Sequence, residues 1–520
     1  MSESKTETAE ATDGSSSSTE TASESKNQID SINPATEETI ESVPIMGEDE
    51  VNDAVERAHE VQDRWSDRSV EHRADKIRDF RDELVDRRLE VAQLLSDEVG
   101  KPVVEALGQE VAVTAEMATY YAKKAPEVLE PERVSHRLLK QKKSWVVREP
   151  KGVVGLITPW NYPLVLLAQS VLSALVAGNA VVNKPSRITP LASLKVQELF
   201  RDAGLPEDLF QVVTGTGSVT GSALVEADVQ HVGFTGSVPV GKHIAKQCGE
   251  KLISSTMELG GKDAAIVLED APIERTINGL TWGAFTNCGQ ICASLERAFV
   301  HESIYDEVLE GVVNNTKELR VGSPKDDVDV GPMADPDQRD LVRQQVEDAR
   351  DRGSDILTGG EQPDRKGYFY PPTVLANLPD DADILHDESF GPILPIVPVK
   401  SEEEALERTN DSNFGLTSSI WTEDREKARD MARDVEAGSV YINDHVTPQG
   451  GPEVPWGGVK ESGVGRTRGE EGLREMTEPK HISDERLNLN KDFFWYPYSG
   501  TLTTWLNRVM PWPFKWWLGG

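Results

Sequence analysis

From residue 152 onward the chain alternates short apolar, β-branched runs with stretches of helical length, and this rhythm constrains the fold more than any single motif. GVVGLI (152–157) reads as a strand, and PLVLLAQSVLSALVAG (163–178) as a buried helix ended by Gly178. AVVNK, DLFQVV and VQHVGF follow as strands, separated by the helical stretches PLASLKVQELFRDAG, VTGSALVEA and VGKHIAKQCGEKL. Strands joined by helices of this length predict βαβ units and a parallel sheet. A second alternating region offers AAIVLED, LERAFVH, ILPIVPV, LTSSIWT and SVYIND as strands, with YDEVLEGVVNNTKEL and DREKARDMARDVEAG as helices. The preceding hundred residues are helix-rich, as in VNDAVERAHEVQDRW. HRLLKQKKSWVVREPKG (136–152) is basic and extended within an acidic chain, which predicts a hairpin arm. The expected class is α/β with two parallel-type sheets and a small β arm.

Ninety acidic against fifty-five basic residues give a formal charge of −35. Such a field repels phosphate backbones and anionic lipid, which excludes nucleic acid as a partner. It also fits a halophilic surface kept soluble where salt screens self-repulsion. Three cysteines make no disulfide framework, so a reducing, cytoplasmic setting is expected. Residues 1–28 are Ser/Thr/Glu-rich and are expected to be a disordered tail. No run of eighteen or more apolar residues predicts a transmembrane helix. The last stretch, 492–520, holds five of the eleven tryptophans. Those aromatics are expected to pack on the protein or a neighbouring subunit, with peripheral contact at a membrane interface as the alternative.

Two cysteines, Cys288 and Cys292, lie four apart in AFTNCGQICASLER (284–297). No other cysteine or histidine spacing accompanies them, so no metal site is expected. If a helix began at Cys292, its free N–H groups would favour the thiolate. A thiolate attacking a carbonyl needs an oxyanion donor and a base for water. Asn161 in PWNYP and Glu258 in MELGGK offer both.

PWNYP, NKPSR, FTGSVPVG, MELGGKD, FTNCGQIC, ESFGP and PWGGVKESGVGR occur in one order, and together they resemble the NAD(P)-dependent aldehyde dehydrogenase superfamily over roughly residues 30 to 482. The resemblance implies Cys292 as nucleophile, Asn161 as oxyanion donor and Glu258 as general base. It implies dinucleotide contacts from Thr158, Pro159, Trp160, Lys184, Ser186, Arg187, Gly217, Gly236, Ser237, Gly241, Leu259, Glu388 and Phe390. NAD-preferring members often carry Glu where this chain has Arg187. Arginine can pair with a 2′-phosphate, so NADP as well as NAD is expected to serve. The family's Lys and Glu relay positions are Ser170 and Thr467 here, and Trp456 replaces a usual Phe.

ELGGKD and CASLERAFVHESIYDEV look most like the succinate-semialdehyde branch. A carboxylate-bearing substrate needs a cation, and Arg297 is a candidate. The arginine that bacterial members of that branch place eight residues past the oxyanion Asn is Gln169 here. A medium or long aliphatic aldehyde is the alternative substrate, and a non-catalytic, membrane-tethered scaffold the alternative role. The resemblance also implies a homodimer or homotetramer built through 133–151 and 477–490. The expected domains are cofactor-binding 29–132 and 152–257, catalytic 258–437, a return to the first over 438–476, and an extension over 491–520.

Overall fold

A computed structural model describes residues 27–137, 139–487, 490–492 and 495–510. The acidic tail up to residue 26 and the final ten residues, with three of the terminal tryptophans, lie outside them. The chain divides into two compact units, the larger running up to Leu129 and over Glu149–Glu478.

Within that unit the first sheet has the order Gly463–Val464, Ser254–Glu258, His231–Thr235, Val153–Ile157, Ala180–Lys184, Phe210–Val212. All neighbours are parallel except the short Gly463–Val464. Chain order starts at the centre, runs out through Ala180 and Phe210, then returns to His231 on the other side. The reversal between Val153–Ile157 and His231–Thr235 creates a crevice at the strands' carboxyl ends, where α/β sheets bind ligands. Register aligns Ile157 with Lys184 and Phe234, and Thr235 with Glu258, so the loops after four strands emerge side by side.

The apolar helix Val165–Ala177 is buried at every position but Ser170 and stops at Gly178, whose φ is 105°. It lies between the sheet and the helix Ala112–Val128, which explains why it lacks a polar face. Before these elements come a hairpin, Gln28–Asn33 with Glu38–Pro44, and the amphipathic helix Glu48–Ser66.

The second sheet is ordered Asp355–Thr358, Thr373–Ala376, Ile393–Val399, Leu295–His301, Asp263–Val267, Thr417–Trp421, Ser439–Ile442. Only its first pair is antiparallel. Alternation divides Asp263–Val267 between two cores: Ala264 and Ile266 feed one, Ala265 and Val267 the other. The chain leaves this sheet after Ile442, later than the boundary expected at residue 438, because Ser439–Ile442 pairs with Thr417–Trp421. The helix expected over 424–438 covers only Arg425–Met431.

The smaller unit, Glu130–Arg148 with the chain from Pro479 onward, carries most of a three-stranded sheet ordered Thr477–Glu485, Lys142–Pro150, Glu132–Val134, the last two antiparallel. A Lys142–Glu485 ion pair of 2.6 Å ties its two long strands. Beyond it, helix Gly500–Val509 is amphipathic and largely exposed, as are Trp495, Tyr496 and Tyr498. Among the described residues no helix is long and apolar enough to cross a membrane.

Candidate active site

Cys292 sits on a turn between the helix Ile273–Phe285 and the strand Leu295–His301. No helix starts there, which corrects the expectation of a dipole-lowered thiol. Its pKa is instead raised, first by burial and then by the carboxylates of Asp263, Glu258 and Glu388. The turn is shaped by three successive left-handed residues, Asn287 (φ 50°), Cys288 (φ 57°) and Gly289 (φ 69°). A Cβ on Gly289 would lie 2.2 Å from the Gly391 carbonyl, so only glycine fits. Gln290 clamps the turn from inside, donating to the Asn287 carbonyl at 3.0 Å and accepting from the Ala334 N–H at 2.9 Å. Cys288 is buried in a core of the second sheet, whereas Cys292 borders two cavities. One thiol is therefore presented for chemistry.

The first cavity, about 240 Å3, opens at the carboxyl ends of the first sheet. It brings together Pro159, Trp160, Asn161, Gly236, Ser237, Glu258, Leu259, Glu388, Phe390 and Cys292 from five separate stretches of sequence. Trp160 and Phe390 meet edge to face, 5.4 Å between ring centres. Phe390 is held there by backbone: its N–H and that of Ser389 each donate to Glu296 at 2.8 Å, and Lys262 neutralises Glu296 at 2.7 Å. Glu388 accepts from the Gly261 N–H at 3.0 Å.

Thr158, Lys184, Ser186, Arg187, Gly217 and Gly241 are not in that cavity but continue along the same strand ends. The Thr158 N–H donates to the Lys184 carbonyl at 3.1 Å, linking two strand ends. Ser186 accepts from the Ile188 N–H at 3.3 Å. The Lys184 side chain is buried, and its ammonium carries no hydrogen bond or ion pair among the described residues. Burial, with Arg187 beside it, lowers its pKa to about 8. Gly236 and Gly241 leave no room for side chains, since a Cβ would come within 2.6 Å of Phe234 and 2.4 Å of Leu259. Gly217, by contrast, faces open space. A buried unpaired ammonium, a glycine-floored crevice and an aromatic slot beside a thiol fit a nicotinamide dinucleotide.

The second cavity, about 270 Å3, reaches the same thiol from the opposite side. Its wall is mostly apolar and aromatic, including Tyr162, Val165, Trp282, Val446 and Trp456, with Arg468 the charged exception. Asn161 borders both cavities. Its amide donates to the Gln290 carbonyl at 3.0 Å, leaving a second N–H free. The Asn161 backbone carbonyl accepts from Lys101 at 2.9 Å and from Asn287 at 3.1 Å.

Lys101 is fully buried, paired with Glu110 at 2.6 Å, and lies 3.6 Å over the Tyr162 ring. Glu110 in turn accepts from the N–H groups of Leu164 and Val165, where the apolar helix begins. This buried pair fixes the loop of Asn161 and escaped sequence reading. Nothing in a Lys and a Glu nine residues apart announces that both are dry.

Glu258 ends its strand, 4% exposed. One oxygen accepts from the Thr467 hydroxyl at 3.1 Å, and the other has no partner among the described residues. Burial lifts its pKa to about 8, against the opposing pull of Thr467 and Arg468. Thr467, noted in the sequence only for lacking the relay glutamate, thus touches the base directly.

Arg297 does not face either cavity. Its Nε, Nη1 and Nη2 donate to the carbonyls of Lys262, Leu385 and Thr409 at 3.1, 3.3 and 3.3 Å, so its guanidinium is consumed in joining loops. Gln169 is buried behind the second cavity, and its amide oxygen accepts from Arg468 at 3.0 Å. Both substrate-contact expectations are corrected by these contacts. Among the described residues no group of three or more His, Cys, Asp or Glu side chains could hold a metal ion.

The chain is similar to known proteins over most of its length. The sequence profile of the aldehyde dehydrogenase family matches residues 21–482. A relative from Mycolicibacterium smegmatis is 37% identical over 90% of both chains; its name, NADP(+)-dependent succinate-semialdehyde dehydrogenase, is a provisional assignment. Chloroplastic betaine aldehyde dehydrogenase from Beta vulgaris is 34% identical over 91% of this chain and 95% of its own. Among solved structures, the NAD+ complex of aldehyde dehydrogenase from Bacillus cereus superposes with a TM-score of 0.85 at 34% identity, covering 88% of this chain and 93% of that one.

Proposed function

The chain belongs to the aldehyde dehydrogenase family, and from that premise we propose that it oxidises an aldehyde to its carboxylic acid through a covalent adduct on Cys292. The observation that carries the reading is a single thiol shared by two cavities, with Asn161 beside it and Glu258 on the dinucleotide side. The Cys292 thiol first gives up its proton to solvent; the thiolate sulfur adds to the carbonyl carbon, and the free N–H of Asn161 with the Cys292 backbone N–H holds the resulting oxyanion. When bound, the nicotinamide dinucleotide supplies the hydride acceptor that turns the adduct into a thioester. Glu258 then takes a proton from water, whose oxygen displaces the sulfur and releases the acid. The raised pKa of Cys292 describes a thiol in a dry pocket among carboxylates; a cationic ring in the first cavity would oppose that effect.

Arg187 supports acceptance of NADP. Its side chain is 56% exposed at the edge of the crevice, with only a loose 3.9 Å approach to Asp335. A 2′-phosphate could take that guanidinium without desolvating it first. For the substrate, the name borne by the M. smegmatis relative supports succinate semialdehyde, while the apolar lining of the second cavity supports an aliphatic aldehyde.

Assembly into a dimer or tetramer is supported by the arm. Among the described residues Thr477–Glu485 is the end strand of its sheet and is exposed along most of its length, and such edges are normally covered. The test is a screen of C4 semialdehydes and longer aldehydes with NAD+ and NADP+, with and without coenzyme A. Reduced-cofactor absorbance should appear without coenzyme A and vanish in Cys292→Ala; a requirement for coenzyme A would replace hydrolysis by acyl transfer.

A further inference from the structure

The reaction leaves one feature of the second cavity without a role: the guanidinium of Arg468 in an otherwise uncharged wall. Arg468 is 5% exposed, and it is gripped by neutral partners. Its Nε donates to Gln169 Oε1 at 3.0 Å, its Nη1 donates to the Gln449 carbonyl, and its guanidinium carbon lies 5.3 Å from the centre of the Trp456 ring. Trp456 is fixed in turn by a reciprocal pair of backbone hydrogen bonds with Thr467, 2.7 and 2.8 Å long. Among the described residues no Asp or Glu oxygen comes within the 4.0 Å of an ion pair, and Nη2 makes no hydrogen bond. Glu258, Tyr121, Tyr441 and Cys292 act on it only through space.

Buried charges are normally paired, and this one is not. Its backbone is also held where L-residues rarely sit, at φ 60°, and Val446 in the same wall is at φ 68°. Such outliers persist where surrounding structure holds them, and they concentrate at ligand sites. Arg297 is the instructive contrast, since every nitrogen of its guanidinium already has a carbonyl.

We propose that Arg468 determines specificity: its unengaged Nη2 edge receives the carboxylate at the tail of a short semialdehyde whose carbonyl reaches Cys292. Gln169 is a positioning residue that holds the guanidinium in place. The assignment rests on the reading of this cavity as the aldehyde site. It selects anionic aldehydes over neutral ones and rejects cationic ones, although the aromatic wall by itself would suit a quaternary ammonium. A cavity of about 270 Å3 suits a short chain.

The experiment compares the full-length enzyme with Arg468→Met, Arg468→Lys and Gln169→Glu on succinate semialdehyde, butanal and betaine aldehyde. Wild type should favour the anionic over the neutral aldehyde by about a hundredfold in kcat/KM. Arg468→Met should bring that ratio near one, through KM more than kcat, and Arg468→Lys should restore part of it. Gln169→Glu, which keeps the volume but adds a competing carboxylate, should lower the ratio by roughly tenfold.

Calorimetric titration with succinate, which needs no turnover, should show binding to wild type and none to Arg468→Met. Equal use of butanal and succinate semialdehyde by wild type overturns the proposal, as does an equal loss on both in Arg468→Met. Arg468-dependent succinate binding without oxidation of any aldehyde would uphold the anion site and sink the proposed function. Butanal oxidation without succinate binding would do the reverse.

Discussion

The two cavities that meet at Cys292 are built differently. The dinucleotide side is assembled largely from loops that leave adjacent, in-register strands of the first sheet, which contribute the consecutive residues Pro159–Asn161, Thr235–Ser237 and Glu258–Gly260, while Glu388 and Phe390 join them from the loop before Ile393–Val399. The substrate side adds to Asn161 and Cys292 short pieces from more widely separated parts of the chain, among them Gly108 with Gln109, Val165 with Leu166, Trp282, Val446 with Thr447, Trp456 and Arg468. A ligand gripped by strand ends leaves a local signature, because one tight turn must supply both the backbone shape and the contact. A wall drawn from helices and loops far apart in the chain leaves a fainter one. The difference also divides the chemistry. Carboxylates and an unpaired lysine serve one side, and a lone guanidinium among aromatics the other.

Removing what the two sides share should do most damage. Cys292→Ala should cost at least about 10⁴-fold in kcat with folding unchanged, measured as reduced-cofactor formation and circular dichroism. Activity within tenfold of wild type would break the account of both cavities. Glu258→Gln should slow turnover by roughly 10²–10⁴-fold while hydride transfer persists. Intact-protein mass spectrometry should then find the acyl group on Cys292, and an unmodified enzyme at steady state would remove Glu258 from the hydrolytic step.

The dinucleotide side can be tested alone. Arg187→Glu should lower kcat/KM with NADP+ by about tenfold or more and leave NAD+ less affected, because a carboxylate repels the 2′-phosphate. An unchanged ratio of the two cofactors would detach Arg187 from that role.

The smallest effect is on pH. A base with its pKa raised to about 8 is mostly protonated at neutral pH. As pH rises through that value the ionised form accumulates, so kcat limited by hydrolysis should climb by about tenfold per unit below it and then level off. Glu258→Gln should flatten the climb, and a profile that keeps its shape in that variant would assign the ionisation elsewhere.

Much of this was legible in the sequence, for particular reasons. Helix Val165–Ala177 announced itself as a long apolar run closed by glycine, and Asp263–Val267 as a short one, since burial on all sides leaves no polar period to misread. The turn of Cys292 was misjudged. Its Gly-Gln start resembles a helix entry, yet three left-handed residues turn the chain into a strand instead. Arg297 was overrated because its distance along the chain from Cys292 says nothing of the three carbonyls that claim it. Gln169 lacks a charge of its own, and the sequence carries no sign that its amide oxygen accepts from Arg468.

Hydrophobic rhythm, local in the chain, determined the two sheets and the succession of their elements, and the ordered motifs, through the resemblance they carry, pointed to Cys292, Asn161 and Glu258. Only the tertiary structure decided which buried charges are spent on carbonyls and which remain open to a ligand. That choice depends on desolvation and on partners distant in sequence: Gln169 meets Arg468 299 residues on, and Lys101 with Glu110 is sealed behind Asn161, 60 residues on from Lys101.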